Sequence, residues 1–168
     1  MIIIHGAINQ GKTTFIKKII SFLNKKNKTI GGLYTQKIIK NEQVIGYDIV
    51  LINNNESFPF LRLSGLGNQQ KIGPYFIDGI ALIKGKNEIE KAIINNVDYL
   101  IIDEVGKLEL NNNGWSVVLE KAIHKHKREI ILAVRTDFVD EVIQKWELKG
   151  VRKFLISDEF LDLTPIFK

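Results

Sequence analysis

The sequence predicts a three-layer α/β fold with a mostly parallel central sheet and an inserted antiparallel hairpin, on three observations. Short apolar runs alternate with amphipathic stretches at helical spacing, the order that stacks helices on both faces of a parallel sheet. One apolar run opens onto a glycine-bounded loop ending in Lys12 and Thr13, and another ends in two adjacent carboxylates, Asp103 and Glu104. Between them, residues 31–77 replace the alternation with paired-strand patterning and turns rich in asparagine and glycine, which marks the insertion.

Met1 to His5 reads as a short buried strand. The loop after it, Gly6, Ala7, Ile8, Asn9, Gln10, Gly11, Lys12, Thr13 and Thr14, fits G-x-x-x-x-G-K-[ST], a phosphate-binding P-loop. Glycine lets backbone N–H groups turn inward around phosphate oxygens, Lys12 supplies a mobile charge for the β- and γ-phosphates, and Thr13 a hydroxyl for Mg²⁺. Phe15, Ile16, Ile19, Ile20, Phe22 and Leu23 then recur at helical spacing, so a helix beginning near Thr13 aims its N-terminal dipole at the same anion. Strand, loop and helix thus arrive in the order that a three-layer P-loop NTPase fold requires.

Leu33 to Ile39 and Val44 to Ile52 alternate as the arms of a β-hairpin turning near Lys40, Asn41 and Glu42. A loop with short strands follows, in which Pro59 and Pro74 block regular ladders. Its LSGLGNQQ segment faintly echoes the signature of ABC-transporter ATPases, but the second glycine and the glutamine are displaced, and it reads as a turn. Asn87 and Glu90 form a capping pair that predicts a helix over Asn87 to Asn95. Tyr99 to Ile102 is a buried strand delivering Asp103 and Glu104 at its C-terminal end, the edge where α/β sheets bind ligands. A helix with Trp115, Val118, Leu119, Ala122 and Ile123 on its apolar face comes next. Ile130 to Val134 forms another strand ending at Arg135, followed by a helix at Val139 to Trp146 and a strand at Lys153 to Ile156.

The length of 168 residues suits one domain over 1–168. Absence of cysteine excludes disulfides, thiolate metal sites and cysteine nucleophiles. The apolar amino terminus is too short for a signal core or membrane span, so a cytoplasmic protein without membrane contact is expected, a monomer or weak oligomer. Net charge of +5 would suit nucleic acid, yet the lysines are dispersed, several of them (Lys25, Lys26, Lys28) at a helix end where cations complement the dipole. Nucleic acid is therefore open but not favoured, and no sequence feature identifies a protein partner.

Asp103 is placed as the Walker B aspartate, holding Mg²⁺ opposite the Thr13 hydroxyl. Glu104 is placed to orient and polarise a water for in-line attack on the γ-phosphorus, the alternative being a solvated surface carboxylate. Lys107 and Glu109 read either as an exposed pair or as residues at the edge of the site. The arginines are few: Arg62, Arg128, Arg135 and Arg152. A nucleotide kinase closes arginines over two phosphate groups, so this scarcity favours hydrolysis. Arg135 is the first candidate for a finger on the transition-state charge and Arg62 the second; either reads equally as a surface cation. His124 and His126, two apart on a helix, cannot converge on one metal, and His5 reads as a strand cap.

Taken together, GAINQGKTT, GGLYT with the following GYDIV, IGPY and YLIIDEVGKLEL resemble the small P-loop nucleoside-triphosphatases typified by thermophile enzymes and the cancer-related nucleoside-triphosphatase. The resemblance covers most of the chain. It implies hydrolysis of ATP, GTP or another nucleoside triphosphate to diphosphate and phosphate, Mg²⁺ dependence, slow turnover and broad base tolerance. It also implies an extra strand between the P-loop and Walker B strands. Lys12, Thr13, Asp103 and Glu104 carry over, with Lys107 and Glu109 at the site edge. The chain departs from the family pattern at Gln36, Lys37 and Ile39, where acidic residues and an arginine are usual, at Pro74, and in its tail, which lacks the family's arginine-bearing ending.

A magnesium-dependent nucleoside-triphosphatase is thus the leading reading. A nucleotide or small-molecule kinase, with its acceptor pocket between Gly32 and Tyr75, is the alternative. A nucleotide-dependent switch that binds RNA or protein is the third.

Overall fold

A computed structural model describes residues 1–65, 70–156 and 163–167. Half of the LSGLGNQQ turn and most of the tail fall outside the described residues. The strands β1 (Ile2–Gly6), β2 (Ile30–Lys40), β3 (Gln43–Leu51), β4 (Ser57–Arg62), β5 (Lys71–Ile72), β6 (Tyr75–Ile77), β7 (Tyr99–Val105), β8 (Glu129–Arg135) and β9 (Arg152–Leu155) form one sheet in the order β5-β6-β4-β3-β2-β7-β8-β1-β9. β2, β7, β8, β1 and β9 run parallel; β3, β4, β6 and β5 extend the sheet antiparallel. β8 is the strand lying between the P-loop strand β1 and the carboxylate strand β7, as the resemblance implies.

Period-two alternation divides each central strand between two apolar layers. Ile2, Ile4, Ile101 and Ile131 pack with Ile16 and Ile19 of α1 (Lys12–Lys25) on one face. Ile3, Leu100, Ile102 and Leu132 pack on the other with Ile89 of α2 (Gly79–Ile94), Leu119 of α4 (Ser116–Lys125) and Val142 of α5 (Val139–Lys145). A short α3 (Lys107–Leu110) follows β7. No helix among the described residues is long and apolar enough to cross a membrane.

The insertion is less separate than the sequence predicts. The first part of β2, Ile30 to Leu33, pairs with Tyr99 to Ile102 of β7, so this arm is a central strand that runs on into the hairpin. Its tip is a two-residue turn with Asn41 and Glu42 both at positive φ (49° and 63°), the geometry whose twist matches the strands it joins. Pro59 lies inside β4, beside a register shift between Tyr47 and Asp48, where a bulge tolerates the missing donor. The second helix also departs from expectation, starting at Gly79 rather than Asn87. Asp78 caps it, its carboxylate accepting from Ile80 N and Ala81 N at 2.9 Å each. Gly79 and Gly85 had disguised its first two turns as loop, since glycine disfavours helix interiors.

Gly32 sets how closely β2 approaches β7. It sits at φ +103°, and a Cβ there would lie 2.0 Å from Ile101 O, so only glycine fits. Gly32→Ala is expected to lower unfolding free energy by about 2–4 kcal/mol, and Asp78→Ala by about 1 kcal/mol, both read from urea denaturation midpoints at unchanged m.

Candidate functional site

β1 enters the core and stops at Gly6, and the loop to α1 turns through two left-handed residues, Asn9 (φ 62°) and Gly11 (φ 86°). Gln10 steadies the bend, its Oε1 accepting from Ala7 N at 2.6 Å. Lys12 is buried, and its Nζ donates to the carbonyls of Gly6 (3.1 Å) and Ala7 (2.8 Å), which hold the ammonium across the loop. Burial lowers the Lys12 pKa and Glu104 and Asp103 oppose that shift, while Arg135 and Lys37 reinforce it.

Asp103 joins three elements. Its Oδ2 accepts from the Thr13 hydroxyl (2.9 Å), the Thr35 N–H (3.1 Å) and the Thr35 hydroxyl (3.2 Å), tying β7 to α1 and β2. The residue is fully buried, and burial raises its pKa against the pull of the Thr35, Thr13 and Glu104 donors. Its other oxygen, Oδ1, is buried without a protein partner. Thr13, giving its proton to Asp103, keeps lone pairs for a cation. An orphaned carboxylate oxygen beside such a hydroxyl fits Mg²⁺, which takes one or two protein oxygens and completes its shell with phosphate and water. Among the described residues no group of three or more His, Cys, Asp or Glu side chains is placed to hold a metal by itself.

The register of β7 against β8 shifts between Ile102 and Val105, so Asp103 and Glu104 lie in a bulge. Glu104 has φ 61°, a conformation that costs a non-glycine residue about 1–3 kcal/mol and recurs at functional sites. The bulge turns Asp103 inward and Glu104 out to the cleft. Desolvation at the cleft floor and the neighbouring Asp103 raise the Glu104 pKa, while Lys12, Arg135 and Lys37 lower it. Lys12, Thr13, Thr14, Lys37, Glu104 and Arg135 line a cleft of about 520 Å³, within the usual range of ligand sites.

Arg135, last in β8, pairs with Asp137 (3.2 Å), and its guanidinium lies 5.0 Å from the Phe138 ring centroid. Arg62 is not brought into the cleft: its guanidinium is engaged by the Tyr47 and Leu61 carbonyls and the Asp48 carboxylate. Lys107 is exposed and lines a second cavity beside the cleft. His124 is exposed near the end of α4, whereas His126 is the extended, buried residue that follows the helix, so the two diverge without sharing a helix, and His5 Nδ1 lies 3.3 Å from the Thr136 hydroxyl. Two residues escape a reading of motifs. Thr35 reaches Asp103 only because β2 lies beside β7, and Lys37, one pleat further on the same face, bonds Asn9 Oδ1 of the loop. Strand alternation makes them neighbours of each other, but nothing local in the sequence points them at the loop.

A family model described as NTPase matches residues 1–162. The nucleoside-triphosphatase THEP1 of Thermotoga maritima is 30% identical over 145 residues, 84% of this chain and 79% of that protein. The nucleoside-triphosphatase THEP1 of Thermotoga petrophila is 30% identical over 165 residues, 96% of this chain and 86% of its own length. Among solved structures, the crystal structure of THEP1 from the hyperthermophile Aquifex aeolicus superposes with a TM-score of 0.76 at 21% identity, covering 97% of this chain and 94% of that one. The solution structure of a human cancer-related nucleoside triphosphatase gives 0.73 at 21% identity, with 94% and 89% covered. At these identities the solved structures establish the shared fold.

Glu109 is not half of an exposed ion pair. It is buried, its two oxygens accepting from Gly106 N (2.9 Å) and Trp115 N (3.1 Å), so it clamps the turn after Glu104 to the start of α4. Burial outweighs these donors and pushes its pKa up to about 7. A raised carboxyl pKa means the folded state holds the proton more tightly than the unfolded chain, so stability falls as pH rises from about 4.5 to about 7. Glu109→Gln, which cannot ionise, is expected to flatten that slope, removing a pH-dependent term on the order of 3 kcal/mol, as measured by denaturant titrations across this range.

Proposed function

The chain belongs to the NTPase family, and from that membership and the geometry of the cleft we propose that it hydrolyses nucleoside triphosphates to diphosphate and phosphate with Mg²⁺. One observation carries this reading: the Thr13 hydroxyl and the Asp103 carboxylate meet at 2.9 Å, while Glu104 opens into the cleft that Lys12 lines. The loop from Gly6 to Thr14 binds the phosphates through its N–H groups and the N-terminus of α1. Lys12 exchanges its carbonyl partners for β- and γ-phosphate oxygens. Thr13 and Asp103 hold the metal, whose positive charge, when bound, offsets charge on the transferring phosphoryl group. Glu104 accepts a proton from the attacking water, a task suited to a carboxylate whose pKa burial and Asp103 raise and the nearby cations Lys12, Arg135 and Lys37 partly hold back.

Arg135 is the cation proposed to meet charge developing on the γ-phosphate. To do so it must release Asp137, a rearrangement that supports slow turnover. Every residue assigned here acts on phosphate, metal or water, a set indifferent to the base, which supports broad tolerance among ATP, GTP and other triphosphates. The reading extends to one catalytic domain over residues 1–168, working in the cytoplasm as a monomer or weak oligomer.

Glu104→Gln is expected to cut phosphate release by about 10²–10⁴-fold while nucleotide affinity, followed by titration of a fluorescent triphosphate, stays unchanged. Parallel loss of affinity, or hydrolysis at the wild-type rate, would refute the role given to Glu104. Removing Mg²⁺ from the wild type with EDTA is expected to abolish phosphate release.

A further inference from the structure

The hydrolysis just proposed makes no use of the hairpin beyond β2, yet that hairpin roofs a second cavity. Tyr47 of β3, Phe60 and Leu61 of β4 and Ile72 of β5 line it from the sheet extension, and Leu108, Trp115 and Phe138 from the segments that follow β7 and β8. Lys12, Thr35, Tyr47, Glu104 and Arg135 line both this cavity and the phosphate cleft, so the two spaces meet at Glu104. Phe60 and Trp115 are buried and stacked at 5.2 Å between centroids, which makes the back of the cavity rigid and aromatic.

Size and polarity restrict what belongs there. The cavity measures about 120 Å³, a little less than the roughly 150 Å³ engineered apolar cavity that stays dry and takes up benzene. A buried water needs two to four polar partners, and behind the mouth Phe60, Leu61, Ile72, Leu108, Trp115 and Phe138 present none but the Trp115 indole N–H. Glu109, which also borders the space, has each carboxylate oxygen committed to a backbone amide. Of the polar side chains that remain, Lys107 borders this cavity alone, while Lys12, Thr35, Tyr47, Glu104 and Arg135 gather where it meets the cleft, beside the place where a γ-phosphate would sit. A site serving water alone needs no such chamber behind its nucleophile.

We propose that this cavity binds a phosphoryl acceptor, an uncharged alcohol whose ring-sized apolar body fills the chamber and whose hydroxyl lies at Glu104. The proposal rests on the triphosphate reading of the adjoining cleft. The acceptor oxygen forms a bond to the γ-phosphorus as the bond from that phosphorus to the β–γ bridging oxygen breaks. The hydroxyl proton passes to the Glu104 carboxylate and from there to solvent, and the nucleoside diphosphate leaves with the electron pair of the broken bond. The products are a phosphate monoester and a nucleoside diphosphate; with water in the acceptor's place, the same steps give inorganic phosphate. The shortage of arginine argues against an acceptor that itself carries phosphate and leaves an uncharged alcohol unaffected.

The test uses the full chain with ATP and Mg²⁺ and compares benzyl alcohol (a ring with a hydroxyl), toluene (the ring alone) and glycerol (hydroxyls alone). ADP and phosphate are quantified, and benzyl phosphate is sought by ³¹P NMR and mass spectrometry. Benzyl alcohol is expected to yield benzyl phosphate and to raise ADP formation about tenfold or more, because a held nucleophile reacts faster than a free one. Glycerol is expected to do neither, and toluene to suppress benzyl phosphate formation competitively. Ile72→Trp, which fills the roof from an edge strand, is expected to lose benzyl phosphate formation by about tenfold or more while still binding a fluorescent triphosphate; Leu61→Trp serves if the first variant fails to fold. ADP and phosphate in equal amounts with no benzyl phosphate at any concentration would overturn the acceptor site and leave the hydrolysis reading standing. Failure of the wild type to bind or hydrolyse ATP would overturn both.

Discussion

A single buried carboxylate holds the elements of the candidate site together. Asp103 lies at zero exposure on β7 and gathers Thr13 from α1 and Thr35 from β2 onto one oxygen. Burying a carboxylate costs several kcal/mol, and each hydrogen bond to a charged group returns about 1.5–3 kcal/mol, so three donors offset most of that cost. The upward pKa shift shows that burial still wins. The balance leaves Oδ1 without a protein partner, and a cation is the partner that would tip it. Loop, helix and hairpin therefore take their positions from the group that also makes the best candidate ligand.

The constraint propagates through the backbone. Turning Asp103 inward requires the bulge in β7, and the bulge forces Glu104 to φ 61°. Such a conformation persists only where its surroundings over-determine it. Here the pairing of Val105 with Val134 resumes the ladder on one side, and Glu109 grips Gly106 and Trp115 on the other. Glu109 is thus bound up with the placement of Glu104 although it sits behind it, and its buried carboxylate makes that brace sensitive to protonation.

The hairpin combines two functions of a β-extension. Where β2 passes β7 at Gly32, the close approach brings Thr35 to Asp103 and Lys37 to the loop. Further out, Tyr47 of β3 still borders the cleft, while β3 to β5 together cover an apolar chamber opening at Glu104. Arg62 belongs to this outer part, where it ties β3 to β4 through Tyr47 and Asp48. The same strand pairing that stiffens the cover thus holds one of the two candidate arginines away from the cleft.

By itself the sequence determined what depends on local order. Gly6 to Thr13 at fixed spacing, the apolar runs of β1, β7 and β8, and the adjacent Asp103 and Glu104 at a strand end were all legible, because a P-loop and a buried parallel strand are written in consecutive residues. Helix α2 was half legible: its apolar stripe showed from Asn87 onward, while Gly79 and Gly85 hid the start that Asp78 caps. Only the tertiary structure decided which distant residues complete the site. Thr35 and Lys37 join it, Arg62 leaves it, and Glu109 moves from the surface to a buried clamp, because sheet order and register set these distances across dozens of residues. Strand alternation fixes which face a side chain takes, but pairing between strands, held here by Gly32 and Asp103, fixes what that face meets.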